Sequence, residues 1–239
     1  MNDEEFEQRA VGPHPYFTLP PLVKKGILHG FMTGASDAIV SDAGEREAFL
    51  RSWGATEMII MAQEHGDRVH AVEKGERPPV GDGLIMIEKG VVGVIKTADC
   101  LPVILYEPDF PMAAIIHAGW RGTVKGIAAK AARLMIGLGA RKNRIGAAIG
   151  PGIGACCYEV HEDVVSEFRT ALFTERIFAR KGGSFFLDLK KANREMMERE
   201  GIGEIHDIGL CTACSSGLFH SARRDKHAGR QINFVLLSG

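Results

Sequence analysis

Three short segments of the sequence bring together residue types able to bind a metal or act on a substrate. They are Ala62-Gln63-Glu64-His65-Gly66, Thr97-Ala98-Asp99-Cys100 and His117-Ala118-Gly119-Trp120-Arg121-Gly122. Each follows an apolar run and ends in a glycine or a short turn, where functional sites are commonly built. His65, Cys100 and His117 supply two imidazoles and one thiolate, a set that suits zinc with a fourth position left for water or substrate. Asp99 beside the thiolate, and Glu64 or Gln63 beside the imidazole, are candidates to orient those ligands by hydrogen bonding. The same residues also admit a plainer reading, with Cys100 a small buried apolar group and the histidines satisfied hydrogen-bonders. A third reading makes Cys100 a nucleophile and His117 its base, with no metal. The three positions lie much further apart than zinc-finger ligands, so spacing alone does not choose among these readings.

Cationic and glycine-rich segments surround this set in the sequence. The stretch from His117 to Thr123 runs from a strand into a helix, and Arg121 with the helix start near Thr123 could hold an anion such as phosphate. Arg223, Arg224 and Arg230 could line an anionic site, although a solvated charged turn explains them equally. Gly150-Pro151-Gly152-Ile153-Gly154 follows a strand but has neither a P-loop ending nor a dinucleotide-binding spacing, which makes it a pocket wall. Five cysteines, an odd number, suit a reducing compartment in which each is core filler, metal ligand or reactive thiol. The adjacent Cys156 and Cys157 are expected to be packing. Cys211 and Cys214 form a lone Cys-x-x-Cys with no second pair of that spacing, which reads as structural.

The elements that must position these residues are short. Strand-like runs are expected at 57–63, 84–88, 91–97, 102–106, 113–117, 145–149 and 232–237. Helical patterns cover 45–53, 123–138, 160–172 and 188–200, the last opening on Asp188 as a natural N-cap. Because 57–117 is almost all strand and turn, a simple doubly wound parallel sheet does not fit. The expected fold is α/β (α+β), one domain over 1–239 with mixed β-sheets flanked by helices, and with 1–25 an irregular, proline-containing arm. Of the 239 residues, 45% are hydrophobic and 25% charged, with 29 basic and 30 acidic side chains and a net charge of −1. That balance argues against a dedicated nucleic-acid binder. No apolar run reaches the length of a membrane span, and the acidic opening is unlike a signal peptide, so a cytoplasmic location is expected.

The order and wording of these segments resemble the YfiH-type family, historically called multicopper polyphenol oxidase or laccase-domain proteins. The matching pieces are His29-Gly30-Phe31, Gln63 to Gly66, Thr97 to Pro102, His117 to Gly122, Gly150 to Gly154 with Cys157 to Val160, Asp188-Leu189, Cys211-Thr212, Ser221 to Asp225, and Gly229 to Gln231. The resemblance implies zinc on His65, Cys100 and His117 and activity on purine nucleosides. That activity is phosphorolysis of adenosine, inosine, guanosine or methylthioadenosine, and hydrolytic deamination of adenosine. Asp99 is then the local carboxylate for proton handling, and Arg121, Arg223, Arg224 and Arg230 form the phosphate cradle. A copper-dependent polyphenol oxidase is the alternative, but it needs clustered imidazoles, and the nine histidines include no His-x-His pair. Further alternatives are a peptidoglycan-precursor editing hydrolase using Cys100 and His117, and a non-catalytic binding homologue. The family's usual Thr-Arg-x-Gly-Gly stretch reads Thr33-Gly34-Ala35-Ser36-Asp37 here, and its aromatic Phe-Ser-Tyr/His-Arg-Arg motif reads His220-Ser221-Ala222-Arg223-Arg224. Both departures bear on substrate choice.

Overall fold

The apolar runs expected to be strands are strands, and most are covered on both faces, which is why they read as continuous hydrophobic stretches and not as alternating ones. The computed structural model describes residues 6–77 and 79–238. One six-stranded sheet has the order β1 (Glu7–Val11), β2 (His14–Thr18), β3 (Ile27–Met32), β15 (Gln231–Leu237), β7 (Val91–Thr97), β4 (Glu57–Ile60). A second has the order β14 (Ile205–Asp207), β10 (Gly146–Ile149), β8 (Leu101–Glu107), β9 (Met112–Ala118), β6 (Gly83–Met86), β5 (Val69–Val72). A small third sheet joins β11 (Glu159–Val160), β13 (Ser184–Leu187) and β12 (Phe178–Lys181). The two large sheets are mixed, with parallel pairs β4–β7, β5–β6 and β10–β14 among antiparallel ones.

The large sheets pack face to face. Phe31, Ile59, Ile95 and Val235 of the first meet Leu84, Ile104, Ile115 and Ala148 of the second in a shared core. Burying each large apolar side chain of this kind contributes about 1.5–3 kcal/mol. The outer face of the first sheet, with Met32, Val94 and Phe234, is covered by α2 (Ala38–Ser41) and α3 (Ala43–Ser52) through Ile39 and Phe49. Ile85, Leu105 and Ile116 on the outer face of the second share a core with α5 (Ile127–Gly137), α6 (Glu162–Thr170) and α7 (Leu189–Arg199). The short α1 (Pro20–Lys24) and α4 (Trp120–Val124) complete the α-helices among the described residues. None of these helices is long and apolar enough to cross a membrane.

Two expectations need correction. Residues 7–18 of the expected irregular arm form the hairpin β1–β2, turning at Gly12-Pro13 with Gly12 at φ 57°, and residues 1–5 lie outside the described residues. The prolines suggested a loop, but Pro13 sits in the turn, while Tyr16 and Phe17 are buried and anchor β2. The helix expected over 123–138 is two helices, because Gly126 takes a left-handed φ of 77° between α4 and α5. Asp188 caps α7 as expected, accepting from the Lys191 backbone N–H at 3.0 Å.

Candidate metal centre and cavity

His65, Cys100 and His117 come together where the two large sheets meet. His65 lies in the turn after β4, Cys100 in the link from β7 of the first sheet to β8 of the second, and His117 near the end of β9. In the β8–β9 ladder Leu101 pairs with Ala118 and Pro102 with His117, which sets Cys100 beside the imidazole. One ligand atom from each of the three lies within 4.8 Å of the others, and the two rings are 4.8 Å apart at 82°. These residues form a group able to hold a metal ion. The helix start packs close: a Cβ on Gly119 would stand 3.0 Å from the Cys100 sulfur, and one on Gly122 would stand 2.7 Å from the Gly66 carbonyl oxygen.

A fully buried carboxylate that the sequence did not single out holds the set in place. Asp82 Oδ1 accepts from His117 Nδ1 at 2.7 Å and from the His65 backbone N–H at 3.0 Å, and Oδ2 accepts from the Gly66 N–H at 2.6 Å. The Asp82 carbonyl also accepts from the His117 backbone N–H at 2.7 Å. With Nδ1 of His117 committed to a carboxylate, Nε2 is the nitrogen left to take a metal, the usual arrangement for a metal-binding histidine. The bonds to Asp82 also hold His65 at φ 60°, a region non-glycine residues seldom adopt and one that clusters at functional sites.

Charge follows from this geometry. Burial pushes the Cys100 thiol up, but His117 and His65 outweigh it and bring the thiol well below its ordinary value. Burial likewise works against a charged His117, yet the Cys100 sulfur and Asp82 raise it. Burial acts against ionised Asp82, while bonds from His117 and the Gly66 N–H hold it below the usual carboxylate range. The surroundings of Cys100 therefore favour its thiolate, the form of cysteine that binds metals.

The orienting roles expected for neighbouring residues fall elsewhere. Gln63 exchanges hydrogen bonds with the Lys96 backbone, at 2.7 and 2.8 Å, and Glu64 pairs with Arg68. Asp99 is itself at φ 90° and braces the opposite wall, accepting from Thr212 Oγ1 and the Arg223 N–H at 2.7 Å each.

A cavity of about 770 Å³, a size suited to a small organic ligand, is lined in part by His65, Cys100 and His117. Asp99, Tyr158, Lys96, Arg223 and Arg230 are among its lining residues. Arg223 stacks over Tyr158 with its guanidinium 5.3 Å from the ring centroid, and donates to the Cys157 and Glu159 carbonyls. Arg230 donates from Nη1 to the Ala228 and Gly229 carbonyls, leaving Nε and Nη2 without a partner among the described residues. Arg224 and Arg121 are not among the cavity-lining residues. Arg224 is committed to the carbonyls of Thr212, Ala213 and Phe219, while Arg121 is exposed and stacks on Trp120 at 4.4 Å. Thr123 is not a helix start either, since α4 begins at Trp120 and the Thr123 hydroxyl donates to the Gly119 carbonyl. Lys96 and Tyr158 were not predicted as site residues. Lys96 is the one charged residue in the Val91–Thr97 strand, a signal that could have found it. The departing segment 33–37 packs behind this wall: His220 Nε2 donates to the Gly34 carbonyl, and Asp37 accepts from the Arg230 backbone N–H.

Residues 29–238 match the family model described as multi-copper polyphenol oxidoreductase laccase. The chain belongs to that family. Among its laccase-family relatives, a protein of Deinococcus radiodurans named purine nucleoside phosphorylase is 39% identical over 217 residues, covering 89% of this chain and 84% of the relative. A protein from an unknown prokaryotic organism named adenosine deaminase RL5 is 38% identical over 148 residues, covering 60% of this chain and 56% of its own length. The laccase-family fold is shared with the crystal structure of Bacillus licheniformis hypothetical protein YfiH. The TM-score is 0.85 at 29% identity, and the match covers 97% of this chain and 99% of that one. This agrees with the YfiH-type resemblance and with the mixed α/β architecture.

Proposed function

We propose that the chain is a purine nucleoside enzyme that cleaves nucleosides with phosphate and deaminates adenosine, with zinc on His65, Cys100 and His117. One observation carries this reading: a three-donor metal centre, oriented by a buried carboxylate, forms one end of a cavity whose walls carry cations and an aromatic ring. The names of two relatives, a phosphorylase and a deaminase, supply the substrate class. The five free cysteines fit a reducing, cytoplasmic setting.

The donor set fits zinc, with two imidazoles, one thiolate and a corner left open. When bound, zinc supplies Lewis acidity that makes water reactive near neutral pH. The chain's own residues do the rest. Tyr158, kept as a neutral phenol by burial, offers a ring face and a hydroxyl to a purine. Arg230 and Lys96 hold phosphate, and Arg223 is fixed as a charge on the wall. In phosphorolysis a phosphate oxygen bonds to the ribose anomeric carbon, the bond from that carbon to the purine nitrogen breaks, and the purine leaves with the electron pair and gains a proton. In deamination water adds at C6 of adenine and ammonia leaves. Asp99, whose two oxygens each keep a second lone pair after bonding Thr212 and Arg223, is the carboxylate assigned to pass a proton in this reading.

A thiol mechanism has one observation in its favour, the Cys100–His117–Asp82 chain, which has the order of a nucleophile, base and orienting acid. His65 weighs against it, since a second imidazole at the sulfur suits shared ligation better than attack. A multicopper reading needs more imidazoles than the two, His65 and His117, that line the cavity.

The deciding experiment assays adenosine, inosine and methylthioadenosine with and without phosphate, alongside metal analysis of wild type and Cys100→Ala. Phosphate-dependent base release, phosphate-independent ammonia release from adenosine, and loss of one metal equivalent together with deamination in the variant are expected. Failure of the zinc-loaded protein to turn over any nucleoside, or oxygen uptake with a phenol only after copper loading, would overturn the reading.

A further inference from the structure

Four of the five cysteines gather at a second place, away from the His65 centre. Cys156 and Cys157 lie in the turn after Gly154, and Cys211 and Cys214 in the turn that follows the Gly152–Cys211 bridge. The Thr212 N–H donates to the Gly152 carbonyl at 3.1 Å, which holds the two turns side by side. All four sulfurs lie within 4.8 Å of one another, and all are free thiols. The expectation that Cys156 and Cys157 are packing, and that Cys211-x-x-Cys214 lacks a second pair, is therefore corrected. The second pair is contiguous, so no repeated Cys-x-x-Cys marks it.

We propose that Cys156, Cys157, Cys211 and Cys214 bind a second, structural zinc ion through four thiolates. A tetrahedron with metal–sulfur bonds of about 2.3 Å has edges of about 3.8 Å, and the sulfurs are already grouped on that scale. The Cys214 sulfur is 3.4 Å from that of Cys156 and 3.4 Å from that of Cys157, the relation of a vertex to two others and not of one partner in a pair. A disulfide would require one of those separations to shrink to about 2.0 Å. An iron–sulfur cluster, which spreads its thiolates around several metal atoms, needs a wider ring of sulfurs than this. The Gly154 N–H donates to the Cys211 sulfur at 3.2 Å, a bond that favours a thiolate. Gly154 also leaves the sulfurs room, since a Cβ there would stand 3.2 Å from the Cys156 sulfur and 3.5 Å from that of Cys211.

The ion would brace the cavity wall from behind. Tyr158 follows Cys157 directly, the Cys157 carbonyl receives Arg223, and Thr212 beside Cys211 holds Asp99. Its position away from the reacting groups and its full set of protein ligands both mark a structural site. The proposal stands on sulfur geometry alone and does not depend on the nucleoside reading.

The test counts metal in protein purified with zinc under reducing conditions. Wild type should hold about two equivalents per chain, and Cys100→Ala and the pair Cys211→Ser with Cys214→Ser about one each, since each ligand set holds one ion. Zinc-edge X-ray absorption on Cys100→Ala should show four sulfur neighbours at about 2.3 Å, a readout that survives even if the double variant does not fold. The proposal is overturned if Cys100→Ala holds no zinc, if its zinc has nitrogen or oxygen neighbours in place of sulfur, or if the ion found there is iron. It is equally overturned if intact mass under reducing purification shows these cysteines joined as disulfides.

Discussion

Asp82 Oδ1 stands 2.7 Å from His117 Nδ1 and 3.0 Å from the backbone nitrogen of His65, so one buried carboxylate fixes both imidazole-bearing segments at once. Replacing it with asparagine removes the charge and presents an amide donor to a ring of donors. Asp82→Asn should weaken zinc binding about 10–100-fold, the usual effect of losing a partner behind a metal ligand. Competition with a chromogenic chelator measures this, and unchanged affinity would show that Asp82 serves folding alone.

Gly122 is predicted to be intolerant of even a methyl group. Gly122→Ala would push a Cβ against the Gly66 carbonyl oxygen, a backbone atom, and should cost about 1–3 kcal/mol of stability. Gly137, at the end of α5 with nothing near its missing Cβ, is the control: Gly137→Ala should add about 0.5–1 kcal/mol. Urea unfolding of the two variants reads the difference, and equal effects would contradict the close approach of α4 to the His65 turn.

His29 should make the fold sensitive to mild acid. Its Nδ1 donates to the Ile27 carbonyl and its Nε2 accepts from the Leu19 N–H, a neutral ring bonded on both sides. Burial depresses its pKa from 6.5 to about 4. The unfolded chain therefore takes up a proton here that the folded chain refuses. The stabilisation is complete above about pH 6.5 and is lost as pH falls toward 4, by about 3 kcal/mol. Urea unfolding from pH 4.5 to 7 should show this slope, with a shallower one in His29→Gln. Parallel profiles would remove His29 as the cause.

Arg230, which lines the cavity, and Arg224, which does not, should separate by phenotype. Arg230→Ala should raise the KM for phosphate by about tenfold or more, in line with about 1.5–3 kcal/mol for a hydrogen bond to a charged group. Arg224→Ala should instead lower stability, because the carbonyls of Thr212, Ala213 and Phe219 lose their donor. Steady-state kinetics and thermal unfolding on both variants check the assignment, and a phosphate defect confined to Arg224→Ala would reverse it.

How far the sequence reveals the molecule depends on the range of the interaction involved. Strands such as Val91–Thr97 and Met112–Ala118 are legible because both faces are buried and the apolar run is continuous. The three donors of the metal centre are legible as residue types at strand ends, but their convergence is set by strand pairing across two sheets. Asp82 is hidden because it is one acidic residue in a loop, and its partners His65 and His117 lie on other elements. The β1–β2 hairpin is masked by its prolines. The four gathered cysteines are masked because one pair is contiguous and the other lies in a distant turn. Arg224 and Arg230 look alike in sequence, and only the carbonyls around Arg224 separate them.

The polypeptide leaves one large sheet at Thr97 and enters the other at Leu101, with Cys100 on the crossing. A cation gripping Cys100 together with His65, from the first layer, and His117, from the second, would work as a rivet through both plates. Its occupancy would limit how freely the layers slide, so loading should slow amide hydrogen exchange along β7 and β9 together, far beyond the residues that touch it.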